Sequence, residues 1–179
     1  PTVLWDVLAR KCATDDRFRK ALKINLVGKT DEQITRSITE AGLAGHLNDM
    51  GYQPHQVATE CQRKASLLIL PLRKEPEYKA VLPGKLFEYI ASWRPVLGIG
   101  QPDGAMSMIL DETKTGVVLD WEDRKSMEEY IDSCWERHLA GKLDVEGADI
   151  SQFTRRNLTR RMVELFDSVR IATWGRTSQ

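Results

Sequence analysis

Pro83-Gly84-Lys85-Leu86-Phe87-Glu88-Tyr89-Ile90-Ala91-Ser92-Trp93-Arg94-Pro95-Val96-Leu97-Gly98 is the stretch that decides the reading of this chain. On a helical wheel Leu86, Phe87, Ile90 and Ala91 share one side, the i, i+1, i+4, i+5 spacing of a buried face. Lys85, Glu88, Tyr89 and Ser92 take the other. Pro83 has no N–H and a preset φ, which suits the first helical position. Pro95 ends the helix, and Val96 to Ile99 reads as a short buried strand. Lys85 is out of place in a purely structural helix. A cation in the first turn faces the positive end of the macrodipole, a cost of about 0.3–1 kcal/mol at an exposed site. A bound anion reverses that sign. Free N–H groups, the close approach that Gly84 allows and the Lys85 ammonium together suit a phosphate. Glu88 lies one turn on, where a carboxylate can accept from sugar hydroxyls. The same spacing equally fits an i, i+3 ion pair between Lys85 and Glu88 on a solvated face.

The rest of the chain alternates strand and helix. Helix 1–13 leads through a polar connection to a strand at 23–28. Thr30 caps the next helix, with Gln33 completing a capping box. Gly42 stops that helix, and a short strand at 47–50 leads to a helix opened by Pro54, with Val57, Ala58, Cys61 and Ala65 facing inward. Leu67 to Pro71 is a buried strand, followed by a long loop over 72–82 and the stretch quoted above. Pro102 opens a helix to about residue 112, a strand spans 116–119, and Asp120 caps a long helix to Leu139. Ser151 caps a last helix with Leu158, Met162, Leu165 and Phe166 as its stripe. The expected domain is 1–170, with 171–179 as a loose tail.

This order predicts an α/β, Rossmann-like, three-layer α/β/α domain with a mainly parallel sheet. A doubly wound domain normally begins with its central strand, and this chain begins with a helix. The first strand is therefore expected to be missing, and the visible strands to be the second to sixth. In such a sheet the ligand crevice lies outside the carboxyl ends of the first and fourth strands. The loop after the fourth strand feeds into Pro83-Gly84-Lys85, so the topological crevice and the helix-end anion site coincide.

Composition narrows the function classes. The 179 residues carry 26 Lys and Arg against 26 Asp and Glu, a net charge of zero, which argues against general nucleic-acid binding. No apolar run of about 18 residues is present, so no membrane span is encoded. Cys12, Cys61 and Cys134 are widely spaced and read as reduced core residues in a cytoplasmic protein. His46, His55 and His138 show no ligand spacing, and no metal site is expected. Gly98-Ile99-Gly100 reads as a turn. Gly28-Lys29-Thr30 lacks the upstream glycine of a phosphate loop, position 23 being Lys23. It reads as a strand-to-helix turn that leaves Lys29 near the crevice. Arg155, Arg156, Arg160 and Arg161 form a basic stretch, for which a solvated face is the better reading than an anionic-lipid site.

Pro83-Gly84-Lys85, Glu88-Tyr89-Ile90-Ala91 and Arg94-Pro95-Val96 resemble the donor-binding signature of retaining glycosyltransferases of the two-domain GT-B architecture, in the large family-four group. The Pro-x-Lys opening is closest to the polysaccharide-assembly subgroup. The resemblance implies the donor-binding half of an enzyme that transfers a sugar from a nucleotide diphosphate-sugar to an acceptor hydroxyl with retention. It gives Glu88 the ribose and Lys85, with Pro83 and Gly84, the departing diphosphate. Tyr52, in Gly51-Tyr52-Gln53-Pro54, becomes a wall for the base, with an ordinary half-buried loop tyrosine as the competing reading. It implies no cofactor and a missing N-terminal acceptor domain, so that this piece transfers little by itself. It implies a cytoplasmic protein, with room for peripheral contact at the inner membrane face through the full-length chain. Two positions depart from the signature: its first glutamate is Ala80 here, and its glycine before Arg94-Pro95 is Trp93. Two other readings stay open. One is a nucleotide-sugar epimerase of the same architecture, with Glu75, Glu77 and Glu88 as its candidate carboxylates. The other is a non-catalytic interaction or regulatory domain.

Overall fold

The structure is a computed structural model that describes residues 2–147, 150–153, 157, 159–160 and 162–164. In chain order its elements are α1 (Thr2–Thr14), α2 (Asp16–Ala21), β1 (Ile24–Leu26), α3 (Glu32–Glu40), β2 (Leu47–Asp49), α4 (His55–Lys64), β3 (Leu68–Pro71), α5 (Gly84–Ala91), β4 (Val96–Ile99), α6 (Ala105–Thr113), β5 (Gly116–Leu119) and α7 (Arg124–Leu139). Short 3-10 turns cover Ala44–His46, Pro76–Ala80 and Ser151–Phe153. The second of these lies within the expected 72–82 loop and has no buried residue. Leu158, Leu165, Phe166, Arg155, Arg156, Arg161 and the 171–179 tail lie outside the described residues. Met162 is exposed, against its expected place on an inner stripe.

The strands pair in parallel, as the alternating pattern requires, but in two sheets. Ile24 faces Leu47 in the β1–β2 pair. In the other, β4 is central, with Leu68 opposite Val96 and Val96 opposite Gly116. The described strands thus form a two-stranded sheet, β1–β2, and a three-stranded sheet, β3–β4–β5.

Period-two alternation sends the two faces of the larger sheet to different layers. Leu97 and Ile99 join Ile24 of β1 in one apolar cluster with Leu4, Leu8, Ile38, Met127 and Ile131, so α1, α3 and α7 cover that side and one core spans both sheets. Leu68, Leu70, Val96 and Val118 point the other way, against Leu86 and Ile90 of α5 and Met106 and Leu110 of α6. Both faces are therefore buried, as parallel sheets require. Gly98 keeps β4 close to α6, since a Cβ there would lie 2.7 Å from Met106 Cε.

Several local expectations shift. Pro83 is the N-cap of α5, extended at ψ 139°, and Gly84 is the first helical residue. Pro54 is likewise the cap of α4. Asp31, not Thr30, caps α3, its carboxylate accepting from Gln33 N. Asp123 caps α7, while Asp120 accepts from Glu122 N in the preceding turn. Gly104 takes the cap position of α6 expected near Pro102. Ala91 is exposed rather than inward. Helix α4 has no fully buried residue, but Val57, Ala58 and Cys61 are half-buried while Glu60, Arg63 and Lys64 are exposed, so its inner side is the expected one but shallower. It links β2 of one sheet to β3 of the other.

Trp93 adopts the left-handed conformation that a glycine would take at the end of α5, with φ 57°. For a residue with a Cβ that costs about 1–2 kcal/mol. The chain beyond α7 offsets it: Val145 N donates to Trp93 O at 2.9 Å, and the Trp93 ring lies over Gly147, where a Cβ would be 2.7 Å from the ring. Arg94 pairs with Asp144 at 3.2 Å beside them.

Candidate functional site at the start of α5

The chain leaves β3 at Pro71, folds through the 3-10 turn and reaches α5 at Pro83. No side chain caps this helix start. Leu86 N turns back to Pro83 O at 2.9 Å, which leaves the N–H groups of Gly84 and Lys85 for an outside acceptor. A Cβ at Gly84 would meet nothing within 4 Å. The approach to these donors is open.

Lys85 is exposed and makes no hydrogen bond or ion pair among the described residues. The cations of the preceding loop are treated differently. Lys74 pairs with Glu122 and lies 5.9 Å from the Trp121 ring centre. Lys79 pairs with Asp103. Arg73 sits over the Tyr78 ring at 5.9 Å. The charge left without a described partner is the one at the helix end.

Glu88 is exposed one turn further along, and it does not pair with Lys85. Its Oε2 accepts from Gln62 Nε2 of α4 at 3.2 Å. The adjacent Tyr89 has its phenol pushed up by burial first and by the Glu88 charge second. Gln62 carried no signal in the sequence, since a polar residue in a last helical turn is ordinary surface.

Lys29 and Tyr52 form a second group, brought together by the backbone. Gly28 N donates to Gly51 O at 2.7 Å, tying the turn after β1 to the loop after β2. Both glycines have positive φ, 109° and 59°. Asp49 Oδ1 accepts from Gly51 N at 3.0 Å, and Gln53 Nε2 donates to Met50 O at 2.6 Å, so the loop is fixed on both sides of Tyr52. Tyr52 itself is 88% exposed. The expectation of a half-buried loop tyrosine does not fit that exposure. Lys29, next to Gly28 in the chain, is also exposed. Helix α4 connects the two groups: Tyr52 stands just before its cap, and Gln62 in its last turn reaches Glu88.

Two shallow depressions lie elsewhere. One, of about 430 Å³, runs along α3 by Thr35 and Arg36. The other, of about 470 Å³, is bounded by Arg19, Lys23 and His46. Neither includes Lys85, Glu88 or Tyr52. Glu75 and Glu77, the further carboxylates that an epimerase would need, are exposed, the first at the cap of the 3-10 turn and the second within it. Among the described residues no three His, Cys, Asp or Glu side chains converge on a possible metal position. No described helix is long and apolar enough to cross a membrane.

No family model and no curated protein matches the sequence. Among solved structures the chain is similar to WaaG, a glycosyltransferase involved in lipopolysaccharide biosynthesis, with a TM-score of 0.58 at 17% identity. The match covers 77% of this chain and 35% of that one, so the chain spans about a third of its neighbour's length. The likeness is one of fold: parallel sheets between helices, in a Rossmann-like arrangement.

Proposed function

We propose that this chain is the donor-binding half of a retaining glycosyltransferase that uses a nucleotide diphosphate-sugar. The observation that carries the reading is the open, uncapped start of α5, with Gly84 unobstructed and Lys85 without a described partner. The diphosphate docks there. Its two charges are met by the Gly84 and Lys85 N–H groups, the helix end and the Lys85 ammonium. As the anomeric C–O bond breaks, negative charge grows on the departing diphosphate, and these preorganised donors stabilise it where it grows. Glu88 accepts from the ribose hydroxyls and fixes the donor along the helix. Tyr52 lies flat against the base, with Lys29 beside it. The acceptor hydroxyl takes the anomeric carbon on the face the diphosphate leaves, its proton ending on the diphosphate. The acceptor is held by a further domain, and the donor then lies between the two. A site formed from two halves fits an open surface at α5 rather than an enclosed cavity.

Thermal shift with a panel of nucleoside diphosphates tests this. A ligand present at 100 times its Kd adds about 2.7 kcal/mol of stability. One or more of the diphosphates raises the melting temperature, Lys85→Ala removes the response to the diphosphate but not to the nucleoside, and Glu88→Ala weakens both. A wild-type chain that responds to no nucleoside diphosphate refutes the proposal.

A further inference from the structure

We infer that Gln62 is a positioning residue for Glu88, holding one carboxylate oxygen so that the other is presented to the ribose. The inference rests on the ribose role proposed above for Glu88. Its own observation is the hydrogen bond from Gln62 Nε2 to Glu88 Oε2, 3.2 Å long, between residues 26 apart in the chain.

A glutamate on an exposed helix face samples many rotamers, and binding through it must first select one. One contact restricts Glu88, and it is not the obvious one. Lys85, the cation within one turn on its own helix, does not engage it. Gln62 does, and from a fixed base. The carbonyl of the next residue, Arg63, accepts from Arg94 Nε at 2.6 Å. Arg94 lies just past the end of α5 and is itself held by Asp144 at 3.2 Å. The last turn of α4 is thus pinned to the exit of the helix that carries Glu88. An amide suits the task better than a cation. It donates without neutralising the carboxylate, so Oε1 keeps its charge and its lone pairs for a hydroxyl. Gln62 touches no substrate in this arrangement and acts through Glu88.

Calorimetric titration of the full chain with a nucleoside diphosphate and with its 2′,3′-dideoxy counterpart tests the inference. Wild type prefers the ribose form. Gln62→Leu removes the donor and weakens the ribose ligand about three- to tenfold, the range for one hydrogen bond. It leaves the dideoxy ligand unchanged, which loss of packing would not do. Glu88→Ala abolishes the preference, and adding Gln62→Leu to it changes nothing further. Equal weakening of both ligands by Gln62→Leu, or no effect on either, overturns the inference while leaving the ribose role of Glu88 standing. A Glu88→Ala chain that keeps the full ribose preference overturns both.

Discussion

Gly84→Ala separates folding from binding, because the two effects have opposite signs. Gly84 is the first residue of α5, its φ is not positive, and an added Cβ meets nothing within 4 Å. The folded state therefore accepts the methyl group without strain, and the unfolded chain loses freedom. The gain is about 0.4–1 kcal/mol. For a chain of this size it corresponds to a melting temperature higher by about 1–4 °C. In the proposed complex, where the diphosphate packs against Gly84, the same methyl group crowds its approach to the N–H groups of residues 84 and 85. A phosphate oxygen must come to about 2.9 Å of such a nitrogen. Displacing it weakens one or two charge-assisted hydrogen bonds, each worth about 1.5–3 kcal/mol. The expected result is a nucleoside diphosphate bound at least about tenfold more weakly, with the bare nucleoside unaffected. Differential scanning fluorimetry reads the first effect and calorimetric titration the second. A more stable variant with undiminished diphosphate affinity refutes the anion site. A less stable one refutes the geometry of the helix start.

Other predictions concern the scaffold. Lys114 ends α6 in the left-handed conformation, φ 52°, so Lys114→Gly should raise the urea midpoint by the equivalent of about 1 kcal/mol. Gly116→Ala should be the reverse: its Cβ would fall 2.1 Å from the Val96 carbonyl oxygen, a backbone atom that cannot swing aside. Separation of β4 from β5 and a loss of roughly 3 kcal/mol are expected, read by denaturant unfolding. Asp15 caps α2, and its carboxyl is held below the usual range by the Phe18 N–H first, with Trp135 Nε1–H and the Arg17 N–H adding to it. Because the folded value is the lower one, its stabilisation is fully present above the unfolded value of about 3.9 and is lost as pH falls through the folded value. Asp15→Asn should flatten that part of the acid unfolding curve.

Strands β3, β4 and β5 are legible because each is a short, largely apolar run between turn residues, and β5 coincides with its expected limits; β2, Leu-Asn-Asp, is much less so. The cap positions are less so. Thr30 and Asp31, or Asp120 and Asp123, all have the chemistry of a cap, and the choice depends on which carboxylate reaches the second or third helical N–H. Helix α4 is half-buried, as its periodicity indicates, but none of its residues is fully buried, and that depth was not legible. Trp93 shows the opposite case. The missing glycine flagged a strained corner, and the structure strains it, but the offsetting contacts come from residues 144–147, far along the chain.

Lys85 and Glu88 were legible as residues but not as a relationship. Spacing alone permits them to pair, and pairing is the cheapest arrangement for a solvated helix, worth about 0.2–0.5 kcal/mol. The structure does not take it. Lys85 remains at the electropositive tip, and Glu88 turns to a neutral amide on another helix. A mutual ion pair would quench both charges: the ammonium would lose its reach toward an anion, and the carboxylate its free oxygen. Proposed roles on a diphosphate and on a ribose require the two charges to stay apart, each available to its own group. Gln62 achieves this for Glu88 without introducing a competing cation. In Gln62→Leu the ribose preference declines while the dideoxy diphosphate binds as before, and that separation is what distinguishes a carboxylate held for one hydroxyl from a pair of surface charges that happen not to meet.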